Sequence, residues 1–325
     1  MNSQTATPIF NLLSIGQRGV GKTVFLAGSY AELHPDSRNQ RQPQLWFDCL
    51  DTQAQENIDS ILSYIDQTGK YPPATMKVTN FCFSLKRRQL WHTRTLSYFR
   101  WMDIPGEICK VDNNDFRGLV SNSHGCCVFI DADALVHKHQ YLQTLEATVK
   151  QVLAIASLTH LHDRYYPFVI ILTKCDLLDS SQLQQIQPIV RSLNARLDAV
   201  RANYQTFYSQ IPLQRAFKTS NLRPIGAAIP LLQLVWDLSQ PYHPTWQQDL
   251  HQSIVNLQAN SFQLFRSWVI PALHISSTVT NQAIRVGLQR LYSLYLVRSV
   301  CLREKILVLG LAIVAVVGLM GLASP

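Results

Sequence analysis

Residues 16–23 read Gly16-Gln17-Arg18-Gly19-Val20-Gly21-Lys22-Thr23, the spacing G-x-x-x-x-G-K-[ST], and few folds can carry it. An apolar strand-forming run, Ile9 to Ile15, comes before it, and a helix-forming run, Val24 to Leu33, comes after. Strand, loop and helix in that order wrap backbone N–H groups around a phosphate at the positive end of a helix. The glycines permit the tight turn, Lys22 adds a mobile charge, and the Thr23 hydroxyl can complete an octahedral Mg²⁺ shell. The expectation is an α/β chain that holds a nucleoside triphosphate with Mg²⁺, its phosphates cradled by Gly16, Gln17, Arg18, Gly19, Val20, Gly21 and Lys22.

Downstream motifs narrow the ligand. Asp103-Ile104-Pro105-Gly106 ends the strand-like run Thr95 to Met102. There Asp103 is placed to reach Mg²⁺ through water, and the Gly106 N–H to face the γ-phosphate. Alone, Asp-x-x-Gly is an ordinary turn; its place at a strand end after a phosphate loop gives it meaning. Thr173-Lys174-Cys175-Asp176 follows Phe168-Val169-Ile170-Ile171-Leu172, a continuous apolar run typical of a buried parallel strand. A carboxylate accepts two parallel hydrogen bonds from guanine N1–H and its exocyclic amine, and adenine offers no such pair. Asp176 therefore favours GTP over ATP, with Lys174 beside it; the alternative is that Asp176 is the N-cap of a helix. A further motif, Thr219-Ser220-Asn221, precedes Ile225 to Leu238, and its backbone, Ser220 included, is expected to close over the base.

Gly16 to Thr23, Asp103 to Gly106 and Thr173 to Asp176 together resemble the translation-factor and Ras-like class of P-loop GTPases, over about residues 8 to 240. Within that class the phrase Gly-Gln-Arg-Gly-Val-Gly-Lys-Thr-Val-Phe-Leu-Ala, with Pro72-Pro73-Ala74-Thr75 and Asp-Ile-Pro-Gly-Glu, looks like the bacterial membrane-associated double-GTPase type. The resemblance implies that Thr75 is the switch threonine, sensing Mg²⁺ and the γ-phosphate. Thr79 competes for that role but falls inside the strand expected over Lys77 to Leu85. Three positions depart from the pattern. Glu107 stands where many Ras-like proteins carry the glutamine that orients the attacking water; it either takes over that role or caps the next helix in solvent. Arg18 replaces a common glycine, and its guanidinium either stabilises transferring charge in cis or lies in solvent. Thr173 stands where asparagine is commoner, which is expected to weaken the bridge between loops. The catalytic candidates are accordingly Glu107, Arg18 and Thr75.

The run from Ile306 to Ala323 is apolar and uncharged. At about 1.5 Å per residue it spans roughly 27 Å, close to a hydrocarbon core of about 30 Å. No face of it is polar, unlike a globular helix, so residues 305–323 are expected to form one transmembrane helix. Arg285, Arg290, Arg298, Arg303 and Lys305 precede it, with Glu304 the one acid among them. The positive-inside rule then keeps the nucleotide domain in the cytoplasm and puts the C-terminus on the far side. The net charge of +8 reads partly as this basic anchor facing anionic lipid. Nucleic acid is not an expected partner, because no basic-aromatic recognition motif accompanies the charge.

Strand and helix runs alternate along residues 9–240, which specifies a nucleotide-binding domain over 1–240. Its sheet is expected to be mostly parallel with helices on both faces and the nucleotide at the C-terminal strand ends. Gln53 to Ile65 reads as an extra helix ahead of Thr75. A hairpin between Leu85 and Leu96 carries Lys86, Arg87, Arg88, Trp91 and Arg94, either a lipid- or acid-facing tip or a solvated loop. Over 241–304, apolar spacing at Leu250, Ile254 and Leu257 and again at Ile284, Leu288 and Leu291 predicts amphipathic helices. They form a stalk or partner-docking pair, or pack back onto the domain. The seven cysteines never form Cys-x-x-Cys, so neither a zinc site nor a disulfide framework is indicated. His137 and His139, after Asp131-Ala132-Asp133, read as strand-end loop residues.

The sequence thus reads as a membrane-anchored GTPase that binds and hydrolyses GTP with Mg²⁺ and switches an effector, with or without an activating protein. Two rivals remain: a non-hydrolysing GTP-binding membrane scaffold, and an ATP-dependent membrane enzyme.

Overall fold

Local pattern accounts for most of the element order. The computed structural model describes residues 7–33, 45–72, 80–89, 92–103, 113–161, 165–215, 220–240 and 246–258. It opens with β1 (Ile9–Ile15), α1 (Lys22–Leu33), β2 (Leu45–Cys49) and α2 (Thr52–Thr68), then the hairpin β3 (Asn80–Arg88) and β4 (Thr93–Asp103). Next come α3 (Asn114–Ser121), β5 (Gly125–Asp131), α4 (Ala132–His137), α5 (Tyr141–Leu161), β6 (Pro167–Thr173), a single 3-10 turn at Cys175–Leu177 and α6 (Ser180–Ala199). The series ends with β7 (Asn203–Tyr208), β8 (Leu213–Arg215), β9 (Ser220–Leu222), α7 (Ile229–Ser239) and a last helix, α8, over 247–258.

Seven strands form one sheet in the order β2-β3-β4-β1-β5-β6-β7. From β4 to β7 every pairing is parallel, whereas β3 runs antiparallel to both β2 and β4. The apolar residues of the central strands alternate between two buried faces, as the period of a strand requires. Phe10, Leu12, Phe129 and Ile171 join a core shared with α1, α2 and α7. Leu13, Ile15, Val128 and Ile170 are buried as well, outside that cluster. So are Phe116 of α3, Ile155 of α5 and Ile186 of α6, the helices of the opposite face. Parallel strand ends therefore emerge together at one rim, between two helical layers.

An added strand and helix, β2 and α2, separate α1 from the hairpin. The helix begins where Asp51 accepts a hydrogen bond from the Ala54 N–H at 2.6 Å and stops at Gly69, whose φ of 59° is left-handed. Ala54, Ile58 and Ile65 are its buried stripe. On the hairpin, Lys86 pairs with Asp48 and Arg87 with Asp249 at 2.6 Å, so two of its cations are engaged within the protein. Arg88 and Arg94 are exposed.

The compact unit continues past residue 240, to Ser261. Trp246, Leu250 and Ile254 of the α8 segment sit in the same core as α1 and the sheet. Of the two arrangements the sequence allowed, packing back onto the domain is the one adopted by 246–258, because its three apolar positions find a hydrophobic surface there. Among the described residues no helix is long and apolar enough to cross a membrane; the run 306–323 lies outside them. His137 is also not in a loop: Asp131 N-caps α4 through the Ala134 N–H, and His137 bonds back to Asp133 at 2.9 Å one turn earlier.

Candidate nucleotide site

The phosphate loop leaves the C-terminal end of β1. Gly16 has φ 150°, and a Cβ there would meet the Phe129 carbonyl oxygen at 2.8 Å, so only glycine lets the loop cross β5 this closely. Gly21 has φ 98° as it enters α1, again a conformation that side chains resist. Phe25 N–H then closes the first helical bond to Gly21 O at 2.8 Å. Lys22 Nζ donates to Gly16 O at 2.8 Å, which holds the ammonium over the loop. Val20 is buried, whereas Arg18 and Gly19 are exposed and Thr23 is half-buried. Gln17 reaches Thr144 O and Thr148 Oγ1 of α5, both at 3.4 Å. A glycine-shaped turn, a lysine laid across it and a helix N-terminus directly behind it are the fittings of a phosphate cradle.

The Thr173–Asp176 motif lies at the end of β6. Lys174 takes a left-handed backbone, φ 58°, before the 3-10 turn, and its ammonium pairs with Asp131 at the end of β5. Asp176 does not cap the next helix. Asp179 does, accepting from Ser181 N–H at 2.8 Å and Gln182 N–H at 2.9 Å in a complete capping box. The Asp176 carboxylate is thereby left for other partners. Its Oδ1 accepts from the Ile211 N–H at 3.3 Å, and the Tyr71 hydroxyl lies 3.4 Å from its Oδ2.

Thr173 joins the two loops. Its Oγ1 lies 2.6 Å from Val20 O and 3.1 Å from Ile130 O. A hydroxyl has one hydrogen, so the shorter contact, to the phosphate loop, is the bond. The bridge that threonine was expected to weaken is therefore made, and it is buried, with Thr173 4% exposed.

The loop that meets Asp176 is Ser209–Ile211, directly after β7. Ser209 N–H donates to Leu172 O at 2.8 Å, and Cys175 N–H to Ser209 O at 3.3 Å. Ser220, expected to close over the base, instead lies in β9, paired with Arg215 in a two-stranded hairpin. Tyr204-Gln205-Thr206-Phe207-Tyr208 carries a signal for the loop that meets Asp176: a β-branched and aromatic run ending before Ser209, as the other motifs follow strands. Asp131, Tyr71 and Ile211 also escaped the sequence reading, since each joins the site through a distant contact.

Asp103 stands at the end of β4, in register with Ser14 of β1, which puts its backbone one strand from the phosphate loop. Thr75, Gly106 and Glu107 lie outside the described residues.

A mixed sheet whose β4-β1-β5-β6-β7 strands run parallel, with a glycine-shaped loop at the end of β1 and the Thr173–Asp176 motif at the end of β6, has the arrangement of a P-loop GTPase. A family model for Double-GTPase 2 matches residues 13–222, and the chain belongs to that family. No curated protein matches it. Among solved structures it is similar to the GTPase-like domain of S. cerevisiae Ski7 bound to GTP, at 16% identity and a TM-score of 0.37, over 62% of this chain and 42% of that one. The same domain bound to GDP and inorganic phosphate gives 16% identity and a TM-score of 0.38, over 62% and 43%. An ADP-ribosylation-factor-like protein, the small COPII coat GTPase Sar1 of Encephalitozoon cuniculi in complex with GDP, gives 14% and 0.31, over 63% and 70%. The chain thus spans less than half of the Ski7 chains it matches.

Proposed function

We propose that the chain is a membrane-anchored switch that binds GTP with Mg²⁺ and hydrolyses it. The observation that carries this reading is the Thr173 hydroxyl on Val20 O at 2.6 Å, which fastens the base-reading motif to the phosphate cradle. Gly16 to Val20, Gly21 and Lys22 hold the phosphates, and Thr23 and Asp103 hold Mg²⁺. The ion supplies charge neutralisation on the phosphate oxygens. Asp176 reads the guanine edge, and the Ser209–Ile211 backbone closes the base pocket. Thr75 and Gly106 sense the γ-phosphate, and Glu107 and Arg18 are the groups available to orient water and offset charge. The apolar run 306–323 and the cations ahead of it support a single-pass anchor with the domain on the cytoplasmic face and the C-terminus across the bilayer. A protein effector, and an activating protein where turnover is slow, complete the switch.

The test is titration of the protein with fluorescent GTP and ATP analogues in Mg²⁺, beside Asp176→Ala. A guanine preference that collapses in the variant supports the reading, and equal binding of both bases in both proteins refutes it. Release of inorganic phosphate then separates a hydrolase from a scaffold that binds GTP and keeps it.

A further inference from the structure

The Asp176 carboxylate accepts a hydrogen bond on one oxygen and has a second oxygen atom close to the other. Oδ1 takes the Ile211 N–H at 3.3 Å, and the Tyr71 oxygen stands 3.4 Å from Oδ2. The Tyr71 hydrogen itself goes to the Ile211 carbonyl at 2.8 Å. Tyr71, Ile211 and Asp176 thus close a three-residue ring at the mouth of the base site, and the tyrosine ties two sides of it together. A guanine must bring N1–H and its exocyclic amine to the same two carboxylate oxygens. Tyr71 belongs to no helix or strand; it follows the left-handed Gly69 that ends α2, and 38% of it is exposed. It can leave without disturbing the sheet. Burial and the Asp176 charge push its phenol well above the ordinary range, so it remains a hydrogen-bond donor throughout the neutral range.

We infer that Tyr71 sets the guanine affinity of this site: its hydroxyl braces Ile211 and crowds the Asp176 carboxylate, and guanine binds by displacing it. The inference rests on the assignment of Asp176 as the guanine reader. A phenylalanine would fill the same space without the hydroxyl, so the hydroxyl is the part to remove. Displacing tyrosine breaks its hydrogen bond to Ile211 O and phenylalanine has none to break, a difference of about three- to tenfold in an equilibrium.

The experiment measures association rate and affinity of fluorescent GDP and ADP analogues with the full chain in detergent, for wild type, Tyr71→Phe, Asp176→Ala and the double variant. The inference expects Tyr71→Phe to bind GDP about three- to tenfold more tightly and to associate faster. It also expects no further effect of Tyr71→Phe once Asp176 is alanine, because the group competed for is gone. Equal affinity in wild type and Tyr71→Phe, or weaker binding in Tyr71→Phe, overturns it while leaving guanine recognition intact. An equal gain in the Asp176→Ala background overturns it too, placing the effect elsewhere. If wild type fails to prefer GDP over ADP, the guanine reading itself fails, and the role of Tyr71 falls with it.

Discussion

Replacing Thr173 with valine tests the joint on which the nucleotide site depends. The side chain is 4% exposed and its hydroxyl donates to Val20 O at 2.6 Å. Valine keeps the shape and the branched Cβ but cannot donate, so the Val20 carbonyl loses this partner in a dry environment. A group orphaned in this way costs about 1–3 kcal/mol, more than the roughly 0.5–1.5 kcal/mol that a hydrogen bond contributes on average. For a domain of this size about 2 kcal/mol lowers the melting temperature by roughly 4–8 °C. Thr173→Ser keeps the hydroxyl and loses one methyl, at about 1 kcal/mol or less. The expected order of stability is therefore wild type, then Ser, then Val, read by thermal and urea melts. A second readout follows from the position of the bond: with the phosphate loop untied, bound nucleotide should dissociate faster from Thr173→Val than from Thr173→Ser. A Thr173→Val protein within about 0.3 kcal/mol of wild type would refute the reasoning, because buried neighbours in one network shift stability by more than that. Serine as damaging as valine would show that methyl packing, and not the hydroxyl, holds the joint.

Two further perturbations address the parts of the fold around the site. Leu250 is 0% exposed in the core shared with α1 and the sheet, so Leu250→Ala should cost about 2–5 kcal/mol in a denaturant melt; an unchanged midpoint would mean that α8 is not part of the folding unit. Asp237 on α7 is 6% exposed, with Gln233 donating to it at 3.1 Å, and burial holds its carboxyl up at about 7 against an ordinary 3.8. Between those values the folded chain keeps a proton that the unfolded chain releases. Its contribution is therefore fully present below about 4 and is lost as the pH rises to about 7, at most roughly 4 kcal/mol over the window. Asp237→Asn should flatten that slope and exceed wild-type stability at pH 8, as melts across pH 4–8 would show; an Asp237→Asn profile parallel to wild type would contradict the assignment.

How much of this was legible beforehand depends on the range of the interaction. The phosphate loop is written in eight consecutive residues, Gly16 to Thr23, because a turn of glycines feeding a helix is a local matter of φ and ψ. The buried strands β5 and β6 are apolar along their whole length, and an unbroken apolar run in an α/β alternation has few other uses. Family membership follows from such local signals alone. Whether Asp176 reads a base or caps a helix was open in the sequence, and the structure removes the second possibility by giving the cap to Asp179.

The partner loop was only weakly legible, through the β-branched and aromatic run before it. Thr219-Ser220-Asn221 and Ser209-Gln210-Ile211 are both short polar stretches near apolar runs, and only the pairing of β7 along β6 decides which one reaches Asp176. By itself the sequence determined the loop, the strands and the chemistry each motif can do, because backbone conformation and burial pattern are set by near neighbours. Tertiary structure alone decided that Thr173 meets Val20, that Tyr71 meets Asp176 and that α8 returns to the core. Those contacts join residues separated by 153 and 105 positions in the first two cases, and they exist only once seven strands have been placed in order.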